Sequence, residues 1–114
     1  MQTTNPSVPL PPGAVSYDGG EWLDSDAGPY RCVFGAVRGP VETHLGDKVT
    51  VQTAAVQLPG GTVDDGSRIQ CPVVDISQNN TDTILGLTAA QARQLARLLI
   101  AAADEIEWWA ASAG

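Results

Sequence analysis

From Ala89 to Trp109 the chain contains neither glycine nor proline, while all eight prolines and eleven of the twelve glycines lie before it. No other stretch of this 114-residue sequence is so free of breaks. Seven of its residues are alanine and nearly all the rest are good helix formers. Leu87-Thr88-Ala89-Ala90-Gln91 supplies a start signal: Thr88 as N-cap, Gln91 three residues on, and Leu87 placed as the hydrophobic staple. Leu95, Leu99, Ala102 and Ile106 then form one stripe at spacings of four, three and four, flanked by Gln91, Leu98 and Trp109. Arg93, Arg97, Asp104 and Glu107 lie off that stripe. Both arginines precede the acids, which is the wrong order for the helix dipole, so packing must hold this helix. No internal repeat and no heptad array is read from it.

The residues before the helix read as short strands between turns. Tyr30 to Val37 alternates and is rich in β-branched and aromatic residues. Val41 to Leu45 is a short additional strand. Lys48 to Leu58 is the clearest one, with a phase shift at Ala54-Ala55 that a β-bulge there would absorb. Ser67 to Ile76 follows, with Pro72 marking an edge or a break. Ser77 to Gly86 reads as a polar connection. The expected architecture is α+β: a three- or four-stranded antiparallel sheet packed by one long C-terminal helix lying across one face. Residues 1–16, with prolines at 6, 9, 11 and 12, read as a Pro-rich flexible tail, and residues 17–114 as a single α+β domain.

Charge narrows the function classes. Thirteen acids against six bases give a net charge of −7. Nucleic acid is a poor partner for such a chain, because phosphate neutralisation supplies most of that affinity. An anionic membrane surface is disfavoured for the same reason. Residues 1–16 have no basic start and no apolar run of signal-peptide length, so a cytoplasmic address is expected. Cys32 and Cys71 then read as reduced thiols packed as small core residues, with a cross-strand disulfide as the alternative.

No catalytic, metal or cofactor site can be assembled from the remaining polar residues. Asp18, Glu21, Asp24 and Asp26 crowd one loop but lack the ligand offsets and distant glutamate of a calcium loop. Asp64-Asp65-Gly66 reads as a hairpin turn rather than an acid–base pair. His44 is the only imidazole and sits between turns with no nucleophile motif near it. Two cysteines and one histidine do not complete a zinc site.

Trp108-Trp109 is the informative oddity. Adjacent helical residues point about 100° apart, so the two rings cannot enter one core. Tryptophan is enriched at interface centres, and Trp22, Trp108 and Trp109 are the candidate interaction residues. The alternative is that the pair packs on the domain's own loop near Trp22.

The run Leu87-Thr88-Ala89-Ala90-Gln91-Ala92-Arg93-Gln94-Leu95-Ala96, with Ala101-Ala102-Ala103-Asp104-Glu105-Ile106, resembles the closing helix of small uncharacterised proteins of mycobacteria, other actinobacteria and their phages. In that group a few strands carrying an Asp-Gly turn precede a Leu-Thr-x-x-Gln-Ala-Arg-x-Leu helix. Leu10-Pro11-Pro12-Gly13 and Trp22 are similar to it as well. The resemblance implies the same α+β order and brings no catalytic residues with it. The expected function is a non-enzymatic, acidic protein–protein interaction module, with a protein partner that includes a second copy of itself as a homodimer. A phage or prophage accessory protein, either capsid-associated or an inhibitor of a host protein, is the second reading. A small ligand-binding domain or enzyme is the third.

Overall fold

In the computed structural model, which describes residues 8–17 and 22–113, the chain is α+β. Its strands are β1 (Ala14–Tyr17), β2 (Arg31–Gly35), β3 (Arg38–Glu42), β4 (Lys48–Gln57), β5 (Val73–Gln78) and β6 (Thr81–Leu87), followed by helix α1 (Ala89–Ala113). All pairings are antiparallel, in the order β1-β2-β4-β5-β6. β3 pairs with the first half of β4, and β2 with its second half. These two short strands therefore follow one another along the same edge of β4.

The sheet has six strands rather than three or four. The two additional strands at its margins are β1 and β6. β6 arises where a polar connection was expected, because Asn79 and Asn80 adopt positive φ (51° and 65°) and turn β5 straight back on itself. The Asn79 side chain fixes this turn, accepting from the Lys48 N–H and donating to the Asp47 carboxylate, each at 2.9 Å. All of β1 but Tyr17 lies inside the segment read as a flexible tail. Residues 1–7 of that segment fall outside the described residues, but from Val8 onward it belongs to the domain.

No bulge occurs at Ala54-Ala55: β4 pairs in unbroken register with β2 from Gln57 through Ala54, and with β5 from Ala54 through Val49. The phase shift instead marks a change in which face is apolar. Residues opposite one another share a face. Val41, Val49, Val51, Val74, Ile76, Ile84 and Leu87 therefore line one side of the β3–β6 half. Lys48, Thr50, Gln52, Asp75, Ser77 and Asp82 line the other. Toward β2 the buried apolar side chains come from both faces: Val33 from one, Val56 and Val73 from the other.

These three are the buried hydrophobic core among the described residues. Polar groups are buried beside them. Gln57 has no exposed surface, and Arg31, directly opposite it in register, is 4% exposed. The Arg31 Nε donates to Gln57 Oε1 at 2.7 Å, and its second terminal nitrogen donates to the Val8 carbonyl at 2.9 Å. Gln57 Nε2 donates to the carbonyls of Pro9 (2.7 Å) and Gly61 (2.9 Å). The guanidinium carbon lies over two rings, 4.5 Å from the Tyr17 centroid and 4.8 Å from that of Trp22. One arginine and one glutamine thus tie the Pro-rich segment, the loop after β4, and the aromatic residues around β1 to the centre of the sheet. No buried side-chain nitrogen or oxygen among the described residues lacks a partner.

Gln57→Leu would leave the Arg31 Nε and two carbonyls unmatched inside this cluster. Urea unfolding should show a loss of about 2–4 kcal/mol, whereas a surface change such as Gln78→Leu should cost little. Equal stability of both variants would show that the cluster is not a main support of the fold.

Candidate interaction surface

Helix α1 begins as its sequence dictates. The Thr88 hydroxyl accepts from the Gln91 N–H at 3.2 Å, and Gln91 Oε1 accepts from the Thr88 N–H at 3.0 Å. This is the reciprocal capping box. Leu87, Ala92 and Leu95 are half-buried, and the helix touches β5 and β6. The sheet's cover ends there. Every helical residue from Leu98 to Ala111 is exposed. The helix does not lie across the sheet; it carries the molecule out to a length of 69 Å, against 27 and 23 Å in the other directions.

Leu98, Leu99, Ile100, Ile106, Trp108 and Trp109 are each between 55% and 67% exposed. At 100° per residue, Leu95, Leu98, Leu99, Ala102, Ile106 and Trp109 fall within one arc of about 100°. Ile100 and Trp108 lie on other sides, so the distal helix is apolar over more than one face. On the sheet, Val41 and Ile84 of the apolar face are also exposed. The chain presents 8019 Å² of accessible surface, where a compact monomer of its mass presents about 6,000 Å².

The candidate interaction residues do not form one cluster. Trp22 is half-buried against the Arg31 guanidinium and supports the fold from there. Trp108 and Trp109 stand exposed on the distal helix. Sequence reasoning missed the contributions of Leu98 and Ile100, which it placed at the margin of the stripe or did not weigh. Their exposure depends on where the helix leaves the sheet, and no local pattern encodes that.

The polar candidates resolve differently. Asp18 and Glu21 lie outside the described residues, while Asp24 and Asp26 are exposed. His44 is exposed in the turn between β3 and β4. Cys32 and Cys71 are half-buried and are not joined to one another. No cluster of three or more potential metal-ligating side chains occurs among the described residues. A groove of about 320 Å³ runs past Pro11, Gly13, Phe34, Gly35 and Thr53, and Arg38 is its one charged lining residue. That lining offers no acid–base pair.

No protein-family model matches this chain, and no curated protein or solved structure matches it. No helix among the described residues is long and apolar enough to cross a membrane.

Asp64 is not the exposed turn acid that its Asp-Asp-Gly setting suggests. It is 2% exposed, and its carboxylate accepts backbone N–H bonds from Gly66, Arg68, Ile69 and Gln70 at 2.6–3.3 Å. Burial works to raise its pKa, but these four donors together outweigh burial and hold it below the ordinary value of 3.8. Asp65 is held low chiefly by the Ser67 side chain and N–H. The pair therefore shapes the loop between β4 and β5 and is charged at neutral pH. A depressed carboxylate stabilises the fold above its unfolded pKa, and that contribution is lost as pH falls through its lower folded value. Asp64→Asn should be less stable than the parent at pH 7. Its stability should also fall less steeply below pH 3.8. Parallel acid titrations of the two proteins, followed by circular dichroism, would contradict this if their curves differed only by a constant.

Proposed function

We propose that this protein is a cytoplasmic, non-enzymatic protein–protein interaction module that assembles with further copies of itself through helix α1. The observation that carries this reading is the exposure of six large apolar side chains on one helix, in a chain that buries only Val33, Val56 and Val73 as its apolar core among the described residues. A helix apolar on several sides belongs in an interior. Contiguous apolar patches of this kind mark association surfaces on folded proteins.

The area is adequate for the task. The four that share one arc, Leu98, Leu99, Ile106 and Trp109, offer roughly 400–500 Å² per copy, and Ile100 and Trp108 add to it on other sides. A standard interface takes about 800 Å² per partner, and the adjacent alanines and the open sheet face add to the supply. The radius of gyration, 18.3 Å, also exceeds the about 13 Å of a compact chain of this length.

Sedimentation should therefore find an oligomer, not an 11.9 kDa monomer. Ile106→Asp, and separately the double change Trp108→Ala/Trp109→Ala, should shift it toward monomer by at least tenfold in dissociation constant. That corresponds to about 1.4 kcal/mol. The sheet signal in circular dichroism should persist in both variants at high concentration. A parent protein that sediments as a monomer at high concentration would remove this reading.

A further inference from the structure

We infer that the exposed half of α1 of one copy lies on the apolar face of a second copy's sheet. This rests on the self-association proposed above and names the surface that receives the helix. The helix carries one continuous stripe. Its first turns, at Ala92 and Leu95, are half-buried where α1 touches β5 and β6 of its own chain. Leu98, Leu99, Ala102, Ile106 and Trp109 continue the same stripe and are all exposed. With neither glycine nor proline between Ala89 and Trp109, the rod has no hinge at which to fold back onto its own sheet. The overhang from Leu98 to Ala111 is about 20 Å long at 1.5 Å per residue. Four strands at a spacing of about 4.8 Å span about 14 Å, so it reaches across a sheet from β6 to β3.

The receiving face is open. Arg38, Val41, Val49, Val51, Ile76 and Ile84 share it by register across β3, β4, β5 and β6. None of these six is buried, and Val41 is 68% exposed. A helix-covered face of a two-layer α+β fold would be withdrawn from water at these positions. Toward β2 the same face continues through Thr53 and Ala55 into the groove of about 320 Å³, whose lining includes Arg38. Each contact hides roughly 400–500 Å² of helix and a similar area of sheet. Exchanged in both directions, that is roughly 800–1,000 Å² per copy, the size of a standard interface.

Charge selects this surface of the second copy. The distal helix carries Asp104, Glu105 and Glu107 and no base, so the same segment of another copy would set acid against acid. The acids of the β3–β6 half, Glu42, Asp75 and Asp82, stand on the other face of the sheet with Lys48. On the apolar face, Arg38 is the one charge among the paired residues of β3–β6. Arg38 is exposed, and its guanidinium makes no hydrogen bond or ion pair among the described residues. Glu105 borders the helix stripe, within about 40° of Leu98 and Trp109 at 100° per residue, and is the acid placed to meet it.

Sedimentation of the full chain and its variants tests the contact. Val41→Asp changes a side chain that is exposed in a single copy. It should nevertheless raise the dissociation constant at least tenfold, as is expected of Ile106→Asp on the helix. Arg38→Glu and Glu105→Arg should each weaken association several-fold, and the chain carrying both changes should recover most of the parent affinity. Helices that paired only with one another would leave Val41→Asp without effect. An oligomeric parent whose affinity is unchanged by Val41→Asp, or a double variant no tighter than the singles, would overturn this contact and leave self-association standing. A parent that sediments as a monomer would remove both.

Discussion

Among the described residues, few apolar side chains of one copy are fully buried. Val33, Val56 and Val73 are the buried hydrophobic side chains among the described residues, and Gln57 and Asp64 are the largest side chains taken fully out of water. Burial of apolar area is the main favourable term in folding, so the sheet depends on what its polar groups can organise. Arg31 and Gln57 stand opposite one another in the ladder between β2 and β4 and gather the Pro-rich segment, a loop and two aromatic rings. Asp64 does the same for the loop before β5. Such clusters add only modest net stability per bond, because each bond replaces one to water, but breaking one is costly because it strands buried partners.

Many apolar residues missing from the core lie on the surface, and the largest group of them is concentrated on one element. Leu98, Leu99, Ile100, Ile106, Trp108 and Trp109 share one helix, and Val41 and Ile84 share one face of the sheet. A small core and a large exposed apolar surface are one fact about this sequence. In the proposed assembly the core is completed between copies, and the helix that leaves its own sheet finds its counterpart on a neighbour. The long form of the molecule and its excess of accessible surface over a compact monomer follow from the same division.

The α+β class, the helix and its capping box were legible because each is written in local pattern. Thr88 and Gln91 sit at the right offset, and Ala89 to Trp109 has no breaker. β6 was not legible, since its exposed Thr81, Asp82 and Thr83 read as a connection until the Asn79-Asn80 turn pairs them with β5. The phase shift in β4 was visible but misassigned, because a change of buried face and a bulge leave the same trace in sequence. Trp22 was grouped with Trp108 and Trp109 by residue type alone; its place beside Arg31 depends on a contact that spacing does not encode. The path of the helix depended on a balance no window of sequence contains. The helix stripe is half-buried only at Ala92 and Leu95, where α1 touches β5 and β6, and is exposed beyond them.

If the core is completed only between copies, folding and association are linked, and thermal stability must depend on protein concentration. Melting the full chain over a hundredfold range of concentration tests this most directly. The expected result is a Tm that rises steadily with concentration, with helix and sheet signals lost together. A Tm that stays constant across the whole range, with the sheet intact in the most dilute sample, would show that one copy folds alone and would contradict the central claim.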